Sequence, residues 1–200
     1  MKRHFIPLTL FSFLFLLSAH SFAGDMNQIV KKAEHGDVKA QFDLGLMYDL
    51  GEAVTQDYNK AFEWYGKAAE QGNAKAQRNL GILYDKGEGV PQNYKKALEW
   101  YTKAAEHGDA KAQFILGFMY AVGEGVTQDK ETAFKWYTKA AEQGDAGAQF
   151  NLGEMYCKGD GVALKKIEAY NRWLKAARQG DEGAQKGLDI LCKESPWACK

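Results

Sequence analysis

Small and apolar residues recur along this chain with a helical step, and the pattern itself recurs every 36 residues. Ala40, Leu44, Met47 and Tyr48 lie at the spacing of one helix face. Leu44, Leu80, Leu116, Leu152 and Leu188 repeat at the same interval. So do Ala40, Ala76, Ala112, Ala148 and Ala184, each followed by a glutamine. Residues 73–108 and 109–144 are identical at 21 of 36 positions. A fixed period of roughly 20–50 residues marks an array of stacked units, not one globular core.

Each unit reads as two antiparallel helices. Asp37, Asn73, Asp109, Asp145 and Asp181 stand where an N-cap acceptor is needed before the first helix. Gly87-Glu-Gly-Val90 and Gly123-Glu-Gly-Val126 then break the chain with glycines suited to positive φ. Asp57, Asn93 and Asp129 cap a second helix, which carries Ala61, Trp64, Tyr65, Ala68 and Ala69 in the first unit. That helix ends at Gly72, and its later copies at Gly108, Gly144 and Gly180. The small residues let helix axes approach, and Trp64 and Tyr65 are expected to fill the wedge toward the next unit. One such pair cannot bury its own apolar face, so the units must stack.

The expected fold is all-α, a right-handed α-solenoid of antiparallel helix pairs. Four units occupy 37–72, 73–108, 109–144 and 145–180. A capping helix at 24–36 precedes them, and a half unit with a tail, 181–200, follows. The fourth unit departs from the pattern, with Lys165 in the capping slot, Arg172 in the Trp slot and Trp173 in the Tyr slot.

The motif Ala76-Gln77…Leu80-Gly81…Tyr84…Gly87…Gly89-Val90, followed by Lys96-Ala97…Trp100-Tyr101…Lys103-Ala104-Ala105-Glu106…Gly108, closely resembles the Sel-one-like repeat. That repeat is a 36-residue relative of the tetratricopeptide repeat. The resemblance covers nearly all of the chain after residue 23. It implies a superhelical interaction scaffold, of the kind that exported relatives use as adaptors in envelope processes or host contact. Helicobacter cysteine-rich proteins share the repeat and imply a second reading, β-lactam binding or hydrolysis. They carry a paired cysteine in each repeat, whereas the first three units here have none. A secreted factor directed at a host is the third reading.

The first 23 residues have another pattern. Lys2 and Arg3 precede an almost wholly apolar run, Phe5–Leu17, and Ser21-Phe22-Ala23 follows. This is the order of a secretory signal peptide, with cleavage expected after Ala23 and a periplasmic or secreted destination. The apolar run is shorter than the ~20 residues of a spanning helix, so no stable membrane span is expected after cleavage.

Composition narrows the chemistry. With 26 Lys+Arg against 26 Asp+Glu, the chain has no basic excess to neutralise phosphates, and no nucleic-acid partner is expected. His35 and His107 are the two histidines after residue 23, and both sit just before a unit-ending glycine. They read as helix C-terminal residues, not as catalytic groups. Glu34, Glu70, Glu106 and Glu142 recur with the scaffold, unlike the singular carboxylate pair of a glycosidase. No catalytic residue, metal site or cofactor is expected. Cys192 and Cys199 flank a Pro196 turn and are the expected disulfide, with Cys157 bonded to either one as the rival pairing.

Function should then lie where the units differ. If the first helices line the concave wall, unit three is apolar where its neighbours are polar. Phe114, Ile115, Phe118 and Val122, with Phe150 and Ile82 nearby and Arg78 and Glu154 at the rim, form the expected surface for a protein or peptide partner. Phe42, Phe114 and Phe150 share one slot, and for them packing between helices is the competing expectation.

Overall fold

The computed structural model describes residues 26–199. The signal peptide expected over 1–23 lies outside the described residues. A first helix, α1, spans 26–34. Four hairpins follow: α2 (Val38–Leu50) with α3 (Tyr58–Glu70), α4 (Ala74–Lys86) with α5 (Tyr94–Glu106), α6 (Ala110–Val122) with α7 (Lys130–Glu142), and α8 (Ala146–Lys158) with α9 (Lys166–Ala177). Helix α10 (Glu182–Glu194) and a 3-10 turn (Pro196–Cys199) close the stack. The described residues contain no strand. The fold is an all-α solenoid.

Capping sets the helix starts. Asp37, Asn73, Asp109, Asp145 and Asp181 each accept the backbone N–H three residues on, at 2.7–3.0 Å. Asp57, Asn93 and Asp129 do the same for the second helices. Lys165 makes no capping bond. Gly89 sits in the turn at φ 70, and a Cβ there would lie 2.4 Å from the Tyr58 carbonyl oxygen, so the turn of one unit rests on the helix start of the previous one. Ala53 holds the equivalent backbone at φ 66 in the first unit.

Packing within a hairpin depends on a close approach. A Cβ on Gly81 would lie 2.6 Å from the Tyr101 ring, so the ring lies flat against bare backbone. Gly45 with Tyr65 and Gly117 with Tyr137 repeat the contact, and Gly153 meets Trp173 in unit four. These rings are buried and join cores that continue into the next unit: Tyr65 shares its cluster with Ala76, Leu80 and Leu83.

The tryptophans point the other way. Trp64 is half-buried against Ala33, Ala40 and Leu44, and Trp100 against the cluster around Tyr65. So only the tyrosine of the Trp-Tyr pair packs toward the following unit, and the tryptophan faces the preceding one. The cause is geometric, because adjacent helix positions lie about 100° apart and cannot share one direction. Lys67, Lys103 and Lys139 lie over the outer faces of Trp64, Trp100 and Trp136, at 3.8–4.0 Å from the ring centroids.

A ladder of buried glutamines ties the units together. Gln77 donates through Nε2 to the Ala69 carbonyl at 3.0 Å, and its Oε1 accepts from His107 Nδ1 at 2.8 Å. Gln41, Gln113 and Gln149 repeat this, accepting from Gln71, Gln143 and Gln179. Each amide thus joins two helix C-termini, one before it and one after it, and satisfies itself in the interior. His107 fills a structural slot that glutamine fills elsewhere.

Candidate functional site

Helix α6 touches α8, and α8 touches α10, so the first helices of these units stand close together. They form the inner wall of the curve, which leaves one face of each free of its hairpin partner. Position 46 and its 36-residue copies run along that face as Leu46, Ile82, Phe118, Glu154 and Ile190. Phe118 is 46% exposed and Val122, one turn on, is 52% exposed. Both large apolar side chains therefore stand open on α6.

The other expected site residues divide by burial. Ile82 and Ile115 are half-buried against the cluster around Tyr101 and Leu116. Phe114 packs on Tyr137, with ring centroids 5.9 Å apart, and covers Gly147 of the next unit. Phe150 packs on the cluster around Trp173, whose Nε1 donates to the Phe150 carbonyl at 3.2 Å. Arg78 forms an ion pair with Asp109 at 2.8 Å and is held between units. Glu154 pairs with Lys158 one turn on. Phe118 and Val122 are thus the exposed centre, with Glu154 and Lys158 beside them.

A second feature of the inner wall had only a faint trace in the sequence. In unit one the Tyr65 hydroxyl donates to Asp49 Oδ2 at 3.0 Å, and in unit two Tyr101 reaches Asp85 Oδ2 at 3.4 Å. Gln56 and Gln92 donate to the backbone carbonyls of these aspartates and to the hydroxyls of Tyr58 and Tyr94. Unit three keeps Tyr137 and Gln128 but has Ala121 in the aspartate slot and Lys130 in the slot of Tyr58 and Tyr94. A cavity of about 330 Å³ opens there, lined by Ala121, Tyr137, Asn151, Glu154 and Lys158 among others. Lys130 turns aside to Asp160 at 2.7 Å. In unit four Cys157 takes the aspartate slot opposite Trp173, which has no hydroxyl to satisfy.

Cys192 and Cys199 are joined, with Cα atoms 5.7 Å apart, and hold the last turn against α10. Cys157 is half-buried and unpaired, and burial together with Glu154 pushes its thiol up from its ordinary value. Among the described residues no group of three or more His, Cys, Asp or Glu is arranged to hold a metal ion. No helix among them is long and apolar enough to cross a membrane.

The sequence model of the Sel1 repeat matches residues 38–73, 74–109, 110–145 and 146–181. The chain is 41% identical over 69 residues to the secretory immunoglobulin A-binding protein EsiB of Escherichia coli, a match covering 34% of this chain and 14% of that protein. Its fold superposes on a protective antigen present in uropathogenic Escherichia coli strains that displays an SLR fold. There the TM-score is 0.81 and the identity 40%, over 83% of this chain and 36% of the other. A Sel1 repeat protein from Oxalobacter formigenes gives a TM-score of 0.81 and 37% identity, over 90% of this chain and 73% of the other. Helicobacter pylori cysteine-rich protein B is similar at a TM-score of 0.50 and 29% identity, over 62% and 93%. The chain therefore spans about a seventh of the curated relative and about a third of the antigen structure. Sel1 repeats are in general protein-interaction scaffolds. On the four matched repeats and the shared solenoid, the chain belongs to the Sel1 repeat family.

Proposed function

We propose that this protein is an exported, non-catalytic scaffold that holds a protein or peptide segment against its inner wall at units three and four. One observation carries the reading: Phe118 and Val122 are exposed on the free face of α6, where the flanking first helices present Lys86, Glu154 and Lys158. Isolated exposed apolar residues are ordinary, but two of them one turn apart, with charges at the edge, have the make-up of an interface core and rim. Export rests on the signal-like pattern of the first 23 residues.

The test is affinity capture from envelope extract with the wild type beside Phe118→Glu. A partner retained by the wild type and lost by the variant, at unchanged helical content, supports the reading. Equal capture by both contradicts it. EsiB, a secretory immunoglobulin A-binding protein, is 41% identical to this chain over 69 residues, so that immunoglobulin is the first host protein to try in the same assay. Likeness to the Helicobacter protein motivates one enzymatic check. Nitrocefin turnover that rises with protein purity would overturn the non-catalytic reading.

A further inference from the structure

We propose that the inner-wall cavity of unit three is a carboxylate-binding site, which takes an acidic group from the partner into the place that Asp49 and Asp85 fill in units one and two. The proposal deepens the scaffold reading and rests on it, since it names the chemistry of the group the partner presents.

Units one and two bury a tyrosine against a glycine of the first helix and give its hydroxyl an aspartate acceptor of their own. A buried phenol hydroxyl needs such a partner. Unit three buries Tyr137 equally well, at 3% exposure, on Gly117. Yet Ala121 has removed the acceptor, and among the described residues the Tyr137 hydroxyl makes no hydrogen bond to another side chain or to backbone. It lines the cavity instead.

Two substitutions create this space. Ala121 removes a carboxylate, and Lys130, aimed at Asp160, leaves the volume that Tyr58 and Tyr94 occupy beside Gln56 and Gln92. The result is a preformed recess whose lining includes Tyr137, a phenol with no acceptor among the described residues and its hydroxyl open to the cavity. Asn151 lines it and stands at the slot of Asn79, one unit beyond the tyrosine in both cases.

Charge agrees with the assignment. The lining carries Lys130 and Lys158 against Asp160 and Glu154, so it is balanced while empty. One incoming carboxylate restores the single negative charge that the aspartate slot holds in units one and two. Lys158, largely exposed and paired one turn back with Glu154, can swing to meet it. Ala121, which lines the cavity, follows Phe118 by three residues on α6 and so shares its side of the helix, which lets a segment seated on the apolar pair place an acidic side chain, or its own C-terminus, in the recess.

The two carboxylate sources are separated by probe choice. The full chain, labelled for NMR, is titrated with N-acetyl-glutamate amide as the side-chain carboxylate and N-acetyl-glycine as the chain-end carboxylate. N-acetyl-glutamine amide and N-acetyl-glycinamide are the neutral controls. At least one carboxylate should shift the Asn151 side-chain amide signal saturably, and its neutral counterpart should bind at least tenfold more weakly. Ala121→Asp, which supplies the acceptor from the chain itself, should abolish the shift with the fold retained. Tyr137→Phe should weaken binding about tenfold. Equal binding of acid and amide, undiminished binding to Ala121→Asp, or no saturable shift with any probe would overturn the assignment. Phe118→Gln serves as the separating variant: it removes the apolar contact without adding a charge near the recess, so it should lose the partner and still bind the small carboxylate, and the failure of one reading is visible apart from the other.

Discussion

Arg78 of α4 donates to both carboxylate oxygens of Asp109, at 3.1 and 2.8 Å, while Asp109 Oδ1 also accepts the Ala112 N–H as N-cap of α6. One carboxylate therefore starts a helix and clamps two units. Both side chains are largely withdrawn from solvent, so screening weakens the pair little. Arg78→Met should lower stability by about 1–3 kcal/mol, the range for losing a charge-assisted, part-buried hydrogen bond. Asp109→Ala should cost more, because the cap is lost as well. Urea unfolding of the full chain measures both, and equal costs would contradict the dual role.

Tyr101 and Trp100 are neighbours in sequence with unequal burial. Tyr101 is 1% exposed on bare glycine backbone, whereas Trp100 is half-buried with Lys103 over its outer face. Tyr101→Ala should cost about 3–5 kcal/mol, and Trp100→Ala about half of that. Thermal or urea unfolding of the two variants gives the order, and a larger loss for Trp100→Ala would contradict the packing directions.

The glycines of the first helices are spacers for those rings. A Cβ on Gly117 would lie 2.5 Å from the Tyr137 ring, while one on Gly66 in α3 meets nothing within 4 Å. Gly117→Ala should destabilise by about 1–3 kcal/mol through overpacking. Gly66→Ala should stabilise by about 0.5–1 kcal/mol through helix propensity. The opposite signs can be read from melting temperatures.

Burial pushes the Tyr137 phenol up to about 12, and it raises Tyr65 and Tyr101 as well, where Asp49 and Asp85 add to the effect. A folded-state value above the unfolded one means the associated stability is fully present below pH ~10 and is lost as pH rises through the folded value. In a spectrophotometric titration these three should ionise only above the ordinary tyrosine range, together with loss of helical signal. Ionisation of every tyrosine near pH 10 in a folded chain would contradict the burial.

Much of the fold was legible because the repeat enforces it. The aspartate and asparagine caps, the left-handed turn glycines and the Ala-rich faces each occur several times, so any one copy could be checked against the others. Trp64 was misdirected because spacing along a sequence places a residue on a helix face but does not say which neighbour that face meets. The site was less legible. Phe118 and Val122 stood out as apolar residues among polar copies, and they are exposed. Arg78 looked like a free rim cation, since nothing in the sequence pairs it with an aspartate 31 residues on. The unit-three cavity arises from what is missing. Ala121 in an aspartate slot becomes informative only once Tyr137 is seen to need that aspartate.

The scaffold account is tested most directly by photo-crosslinking from single positions of the full chain while the captured partner is bound. A photoreactive residue at Val122 on the inner wall should crosslink the partner, and one at Glu99, exposed on α5, should not. Crosslinking from Glu99 with none from Val122 would place the partner on the outer surface and contradict the account.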